Sequence, residues 1–428
     1  MVEKYTITIK KRSQAGWLMW LLIVLPFMFG TLEGFLHMPR AIRYILDVAW
    51  LWLLVLMGCG RQKNKAGLLA LWSILFLLYT ALTYLPQYQS ALYYLWGVRN
   101  NFRFFVAFFA FSAFLKIEDI EGYLKFFNRL FWVSAIVSLV QYFVYGYKGD
   151  YLGGIFGVEH GCNGYMNVFF VIILTKDILF YIEKKEKLSA CILKCMTAVL
   201  IAALAELKFF FIEVLLIIVL ASLFTEFTWR KLLVITGGLT IVVVFAMLLV
   251  ELFPGFAGFL SIEWFVEAGS SNTGYTSSGD LNRLNAIPQI NKLWFTNFWQ
   301  RMFGMGLGNC DYASFDFLST PFFKANSDMH YTWLSYAFLY LETGWIGLIF
   351  YYVFFALIYF QANRIEKCNE GMTKTYCRMS RILALLCMVI AVYNSSLRTE
   401  AGYMMFFALS IPFALNRREQ VMQKYGYN

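Results

Sequence analysis

The side chains best suited to chemistry in this sequence are Arg283 and His330, which share its longest polar segment. That segment covers 254–343 and is rich in Ser, Gly, Asn and Asp. Arg283 follows a Ser-Ser-Gly-Asp turn in which Asp280 can cap a short helix. His330 directly precedes an aromatic run. A guanidinium can hold a phosphate group through a pair of parallel hydrogen bonds, and an imidazole can exchange a proton near neutral pH.

Together these residue types fit glycosyl transfer from a lipid-linked diphosphate. The departing diphosphate gains negative charge in the transition state, and preorganised arginines stabilise that charge without a metal ion. His330 is expected to position or deprotonate the attacking hydroxyl group. The alternative is that His330 only anchors the start of a helix at the membrane interface. We therefore take Arg283 and His330 as the candidate catalytic residues.

Other basic residues are candidates for binding the diphosphate. Arg99 and Arg103 are four positions apart, so a helix places them on one face, where they repel unless an anion lies between them. Lys208 interrupts an apolar hairpin, and a charge at membrane depth costs roughly 2.5–3.5 kcal/mol on insertion. Lys208 is therefore expected either to pair with Glu206 or to hold a phosphate. Arg301 joins this set, and ordinary solvated charge is the alternative for each member.

The stretch Phe303 to Tyr312 reads FGMGLGNCDY, with Gly304, Gly306 and Gly308 at alternate positions. Such a run can resemble a phosphate cradle. As a nucleotide-binding signature it is weak, because no strand–turn–helix unit surrounds it. We interpret it as a tight structural turn.

The composition limits the scaffold that positions these residues. The chain has 428 residues, of which 60% are hydrophobic and 14% charged, whereas soluble domains hold about 45–50% apolar and about 25% charged residues. This excess predicts an all-α, polytopic membrane protein. The net charge of +10 fits basic cytoplasmic loops better than nucleic-acid binding, because no basic stripe lies on a soluble domain. The eight cysteines show no metal-ligand spacing, so neither metal nor cofactor is predicted, and a disulfide between Cys162 and Cys310 is left open.

Twelve apolar runs approach the roughly 20 residues that cross a bilayer. They cover 16–36, 44–59, 66–85, 102–115, 130–147, 164–181, 189–205, 209–224, 232–253, 344–360, 382–395 and 403–415. If the N-terminus is cytoplasmic, most Lys and Arg residues fall on inner loops, as the positive-inside rule requires. Both termini are then cytoplasmic.

This topology divides the chain into three parts. Residues 1–253 carry the first nine spans, 254–343 form an extracytoplasmic loop, and 344–428 carry the last three spans and a cytoplasmic tail. The apolar stretch 330–343 is expected to be a helix at the outer surface that ends near Gly344 and leads into the tenth span. Counting it as a separate span would move the basic residues after it to the outer side.

The order of these features resembles that of the O-antigen polymerase and O-antigen ligase superfamily, bacterial envelope glycosyltransferases with a polytopic C-type fold. The resemblance covers roughly 157–347. It depends on Arg283 after a Ser/Gly turn, the Gly-x-Gly run, His330 before an aromatic helix, the Glu342-Thr343-Gly344-Trp345-Ile346-Gly347 ending, Asn163 near the start of a span, and Lys208 at the start of another.

The resemblance implies an undecaprenyl-diphosphate-linked oligosaccharide as donor. It implies that Asn163 and Lys208 bind substrate and that Glu342, Gly344 and Gly347 are structural. The acceptor is a second lipid-linked repeat unit in a polymerase, a lipid A-core sugar in a ligase, or a protein in an O-oligosaccharyltransferase. The longer turn before Arg283, and lysine where the family more often has arginine, favour polymerase.

The expected reaction is metal-independent and inverting, because no carboxylate pair suggests a covalent glycosyl intermediate. The expected location is the bacterial inner membrane, with membrane lipids as neighbours and a chain-length regulator left open as a partner. Two other classes remain. A polysaccharide or lipid transporter predicts charges at mid-depth in several spans and a pseudo-repeat, and a structural membrane protein predicts no catalysis.

Overall fold

The computed structural model describes residues 13–59, 67–252 and 279–425. Within these ranges the regular secondary structure is helical, with no strand, which confirms the all-α prediction. The first part of the chain forms α1 Gln14–Val24, α2 Ile45–Cys59, α3 Gly67–Tyr84, α4 Ala91–Phe114, α5 Ile117–Phe143, α6 Asn163–Ile182, α7 Leu188–Leu204, α8 Lys208–Phe224 and α9 Trp229–Leu252. The remainder forms the short helices α10 Ala286–Leu293, α11 Phe298–Phe303 and α12 Pro321–Asn326, followed by α13 Ser335–Glu366, α14 Gly371–Tyr393 and α15 Ala401–Tyr425.

Seven helices of the described chain are long and apolar enough to cross a membrane. They span Arg40–Gly58, Gly67–Gln87, Ile117–Phe143, Asn163–Ile182, Trp229–Leu248, Ser335–Glu366 and Gly371–Tyr393. Each of the twelve predicted runs overlaps a helix in the described residues, although the first run, 16–36, continues beyond α1 into the short 3-10 and π-helical segments Leu25–Phe27 and Gly30–Phe35. The number of bilayer crossings stays a prediction. Helix α4 falls short because Arg99, Asn100, Asn101 and Arg103 in its first half lower its mean hydropathy. The fold is that of a polytopic membrane protein.

Helix α6 lies at the centre of the bundle, packed against α7, α8, α14 and α15. Aromatic rings fill the neighbouring layer, where Phe105 of α4 lies 4.2 Å from Phe354 of α13 between ring centres. Asp177 of α6 is fully buried and pairs with Lys176 at 2.6 Å and Lys194 at 2.7 Å. These buried charges thus pair within the bundle, which offsets the cost of placing them there.

An ion-pair network closes one end of the bundle. Arg378 at the start of α14 contacts Glu183 after α6 and Glu366 at the end of α13, each at 2.8 Å. Arg381 contacts Glu366 at 2.5 Å. Helices α6 and α13 begin at the other end of the bundle, where the polar loop lies. This network therefore joins the ends of α6 and α13 to the first half of α14 on the side opposite to the loop.

The loop and α13 are joined at a break in the helix. Gly344 has φ 63° and ψ −168°, so the stretch Ser335–Glu366 consists of a helix to residue 343, a kink and a second helix. This confirms the predicted helix that ends near Gly344 and continues into an apolar span. Of the predicted loop 254–343, residues 254–278 lie outside the described ranges. The described part packs on the bundle, since Gln87 donates to the Gly304 carbonyl at 2.8 Å and Trp96 to the Tyr312 carbonyl at 2.9 Å.

Candidate active site

A cavity of about 710 Å³ opens where the polar loop meets the bundle. Three residues singled out from the sequence, Asn163, Lys208 and Arg283, line it although they are far apart in the chain. They arrive from the starts of α6 and α8 and from the loop before α10. Arg40 and Arg43 line the same cavity. The site therefore brings four cationic side chains together at one end of the bundle, where four carboxylates also line the cavity: Glu33, Asp150, Glu159 and Glu206.

Arg283 lies on an aromatic platform. Its guanidinium carbon is 4.3 Å from the centre of the Tyr393 ring, and the Tyr393 ring stacks on Phe209 at 4.2 Å. Its backbone is held as well, because the Tyr336 hydroxyl donates to the Arg283 carbonyl at 2.5 Å. Stacking engages the face of a guanidinium, whereas its hydrogen bonds form in the plane of the group. Phe209 directly follows Lys208 in the chain, so this aromatic stack brings Arg283 close to the start of α8.

Lys208 and Asn163 play different parts in the cavity wall. Lys208 opens α8, is half-buried, and forms no ion pair with a residue in the described ranges. Its contact with Glu206 is between backbones, the amide donating to the Glu206 carbonyl at 2.8 Å. Asn163 donates from Nδ2 to Asp150 Oδ1 at 2.9 Å and to the Ala205 carbonyl at 3.2 Å. Asn163 thus ties the loop before α6 to the end of α7.

Arg43 is held by two carboxylates. Both oxygens of Glu33 accept from its guanidinium at 2.6 Å, and Glu400 lies 3.4 Å from Nη1. The Tyr165 hydroxyl donates a short hydrogen bond to Glu400. Burial alone raises the pKa of the Glu400 carboxyl, but the charges of Arg103 and Arg43 outweigh it and lower that pKa to about 2. Glu400 is therefore a permanent anion that orders the arginines around it.

A second cavity of about 240 Å³ adjoins the first and shares Arg43, Tyr165 and Tyr312 with it. Arg99 and Arg103 line this second cavity. The carboxylates that offset them belong to the protein: Arg99 lies 2.8 Å from Asp47, and Arg103 lies 3.3 Å from Glu400. The repulsion expected between these arginines is thus relieved from within the fold. The rest of the lining is partly aromatic, with Tyr44, Trp96 and Phe338, and partly charged, with Asp311, Arg398 and Glu400.

His330 lies beside the main cavity rather than on its wall. Its backbone is left-handed, with φ 51°, and its ring stacks on Trp333 at 3.9 Å. Trp333 lines the cavity, whereas His330 is not among the lining residues. His330 Nδ1 is buried and has no hydrogen-bond partner in the described part of the chain. Trp333 also lies near His160, which lines the cavity. The centres of these two rings are 5.8 Å apart.

His160 is not among the site residues predicted from the sequence. The available signal was its position, three residues before Asn163 in the stretch EHGCN. Arg40 and Arg43 are likewise not among the site residues predicted from the sequence, although the predicted topology places these basic residues on an outer loop. What assigns them to the site is contact with segments distant in the chain, such as Glu159 at 2.9 Å from Arg40.

The Gly-x-Gly-x-Gly run forms a tight turn, as predicted. Gly304, Gly306 and Gly308 all have positive φ, and a Cβ on Gly308 would lie 1.9 Å from the Tyr93 carbonyl oxygen. Glu342 Oε1 accepts from the backbone amides of Gly308 at 3.0 Å and Cys310 at 3.2 Å. These amides are thus occupied by a protein carboxylate, which accords with a structural role for Glu342. A Cβ on Gly347 would meet Thr343 Oγ1 at 2.1 Å, so close helical packing explains that glycine.

Arg301 is a second predicted site residue, after His330, that lies outside both cavities. It is exposed in α11. Cys162 and Cys310 are both free. Among the described residues, no group of three His, Cys, Asp or Glu side chains could hold a metal ion.

Comparison of the chain with models of known protein families gave no match, and no curated protein matched it either.

Proposed function

We propose that this chain is a membrane glycosyltransferase that acts as an O-antigen or capsular polysaccharide polymerase. It transfers an oligosaccharide from an undecaprenyl-diphosphate donor to a hydroxyl group of a second lipid-linked repeat unit. The observation that carries the proposal is the meeting of Arg283 and Lys208 on one cavity, whose wall also carries the imidazole of His160.

The cationic side of the cavity suits a diphosphate. Arg283 offers planar donors held on the Tyr393 ring, and Lys208 offers an ammonium group without a carboxylate partner among the described residues. Negative charge grows on the leaving diphosphate as the glycosidic bond breaks, and fixed donors in a partly water-excluded site stabilise that growth. Arg43 contributes less net charge, because Glu33 and Glu400 already neutralise it.

The cavities provide space for two substrates. Pockets that hold organic ligands typically enclose about 300–1,000 Å³, and the main cavity has about 710 Å³. Pro26, Phe29 and Leu207 add apolar lining on which the first isoprenoid units can lie. The adjoining cavity of about 240 Å³, with its tyrosine and tryptophan rings, suits the acceptor sugar.

The reaction follows from this arrangement. A base takes the proton of the acceptor hydroxyl, the oxygen attacks the anomeric carbon, and the bond from that carbon to the diphosphate oxygen breaks. The electron pair leaves with the diphosphate, whose charge is met by Arg283 and Lys208. A single displacement of this kind inverts the anomeric centre.

We place the protein in the bacterial cytoplasmic membrane, with both termini cytoplasmic and the cavities on the extracytoplasmic side. The basic network of Arg378 and Arg381 lies at the opposite end of the bundle, which fits a cytoplasmic position under the positive-inside rule. A ligase would use the same donor site, and the acceptor separates the two activities.

The test is complementation of a strain that lacks its polymerase, scored by the glycan ladder at matched expression. Arg283→Ala is expected to abolish the ladder, whereas Lys292→Ala in the same loop is expected to retain it. Lys292 is exposed in α10 and lines neither cavity. A full ladder from Arg283→Ala would refute the proposal, and transfer to lipid A-core instead of chain extension would favour the ligase.

A further inference from the structure

An aspartate and a histidine form a pair on the wall of the main cavity. His160 Nε2 lies 3.5 Å from Asp150 Oδ2, and both residues line the cavity. The other oxygen of Asp150 accepts from Asn163 Nδ2 at 2.9 Å. The side chains of His160 and Asp150 are 54% and 57% exposed, so a substrate entering the cavity can reach them. The arrangement has the parts of a general base: an accessible imidazole, a carboxylate on one nitrogen, and an amide that fixes the carboxylate.

The loop before α6 is built to hold this pair. Its chain returns on itself, because the Gly161 amide donates to the Asp150 carbonyl at 3.0 Å. Gln141 of α5 anchors the middle of the loop through both the amide and the carbonyl of Gly154, each at 2.8 Å. The histidine ring is also flanked by Tyr151, 5.7 Å away between ring centres. The pair is thus fixed by backbone contacts independent of any ligand.

We infer that His160 is the general base of the transfer reaction and that Asp150 positions it. This inference rests on the proposed function and assigns the proton-accepting role within it. Asp150 faces Nε2, so Nδ1 is the nitrogen that takes the proton from the acceptor hydroxyl. The hydroxyl oxygen forms the new bond to the anomeric carbon, and the diphosphate leaves with the electron pair of the broken bond. The proton on His160 then passes to water.

His330 has a different part in this scheme. Its ring lies against Trp333, which separates it from the cavity, and Trp333 in turn contacts His160. His330 therefore acts as a positioning residue through the indole. The charged and titratable groups around the His160 ring are Asp150 and Tyr151 of its own loop and His330 across Trp333, with the pair of Glu159 and Arg40 beside them.

The test uses the purified full-length protein with an undecaprenyl-diphosphate-linked donor and a lipid-linked acceptor. His160→Gln is expected to lower kcat by about 10²–10⁴-fold, while the KM for donor stays within about threefold. Asp150→Asn is expected to lower kcat by about tenfold and to shift the acidic limb of the rate–pH profile, which a purely structural role would not do. Imidazole added to His160→Ala is expected to restore part of the rate.

His37→Gln is the control, because His37 is an exposed histidine that lines neither cavity. It is expected to transfer at the wild-type rate. If His160→Gln and Asp150→Asn keep kcat within about twofold of wild type while Arg283→Ala is inactive, the base is assigned wrongly and the proposed function survives. If the wild-type protein transfers nothing from the donor, the proposed function itself fails. Thermal unfolding of each variant excludes a folding defect.

Discussion

The guanidinium of Arg283 lies over the ring of Tyr393, with 4.3 Å between its central carbon and the ring centre. Arg283 belongs to the polar loop, and Tyr393 is the last residue of α14. This contact joins the loop to the bundle at the point where the main cavity opens. It also fixes the plane of the guanidinium, and hence the direction of its donors.

Substitutions at Arg283 should distinguish the contribution of its charge to kcat from that of its planar shape. Arg283→Lys keeps the charge but loses the planar fork and the stack, so we expect kcat to fall by about 10²-fold, close to the loss for Arg283→Ala. Tyr393→Leu removes the platform and should lower kcat by about tenfold, whereas Tyr393→Phe, which keeps the ring, should retain more activity. Single-turnover transfer with purified protein measures these rates. Equal rates for Arg283→Lys and wild type would contradict the role of the fork.

Lys208 should behave as a point charge in donor binding. Lys208→Met is expected to raise the KM for donor by about tenfold, which corresponds to about 1.4 kcal/mol of lost attraction. Lys208→Arg restores a cation and should bind donor nearly as well as wild type. Titration of donor binding in detergent, repeated at raised salt, measures the effect. Lys125→Ala serves as the control, because Lys125 lines neither cavity and forms an exposed pair with Glu121 on α5.

The apolar spans could be located from the sequence because the membrane dictates them. Backbone groups in lipid must be satisfied internally, so each span has to be a helix of sufficient apolar length. The kink at Gly344 was also foreseeable, since the positive-inside rule excluded a further span before it. The number of crossings could not be predicted in the same way, because helices such as α4 contain polar side chains that line a site and therefore have a lower mean hydropathy.

The candidate site was only partly predictable. The sequence marks Arg99 and Arg103 as neighbours on a helix, but their partners Asp47 and Glu400 come from other helices. The sequence pattern therefore predicts the repulsion between the two arginines but not the carboxylates that offset it. His330 was expected at the reacting hydroxyl, yet a left-handed backbone turns its ring onto Trp333. Side-chain direction at such a turn is set by tertiary contacts that the pattern does not contain.

Glu400 should make stability depend on acid pH. Its folded pKa of about 2 lies below the ordinary value of about 4.3 for a glutamate. The stabilisation is therefore complete above the unfolded pKa and is lost as the pH falls toward the folded one. Its size is on the order of 3 kcal/mol. Thermal unfolding between pH 6 and about pH 3 should show a steeper loss of Tm in wild type than in Glu400→Gln.

The same variant has a second consequence at neutral pH. Glu400→Gln leaves the buried Arg103 and the half-buried Arg43 without one of their anions, and breaking a buried pair costs about 3–5 kcal/mol. Glu159→Gln is the contrast, because its pair with Arg40 is exposed and is worth about 1 kcal/mol or less. Similar Tm values for the two variants would show that Glu400 does not organise the arginine cluster.

Gly344 should be required for folding, because two backbones meet there. A Cβ on Gly344 would lie 2.3 Å from the Met302 carbonyl carbon, and one on Gly304 would lie 2.4 Å from that of Glu342. Gly344 also has φ 63°, which strains any other residue. Gly344→Ala should therefore lower Tm and the yield of monodisperse protein, at a cost of about 3 kcal/mol or more.

Gly122→Ala is the control, since Gly122 lies inside α5 with open space around it, and alanine there should stabilise the helix by about 0.5–1 kcal/mol. If Gly344→Ala unfolds at the wild-type temperature, the loop and α13 do not pack as closely as these distances require.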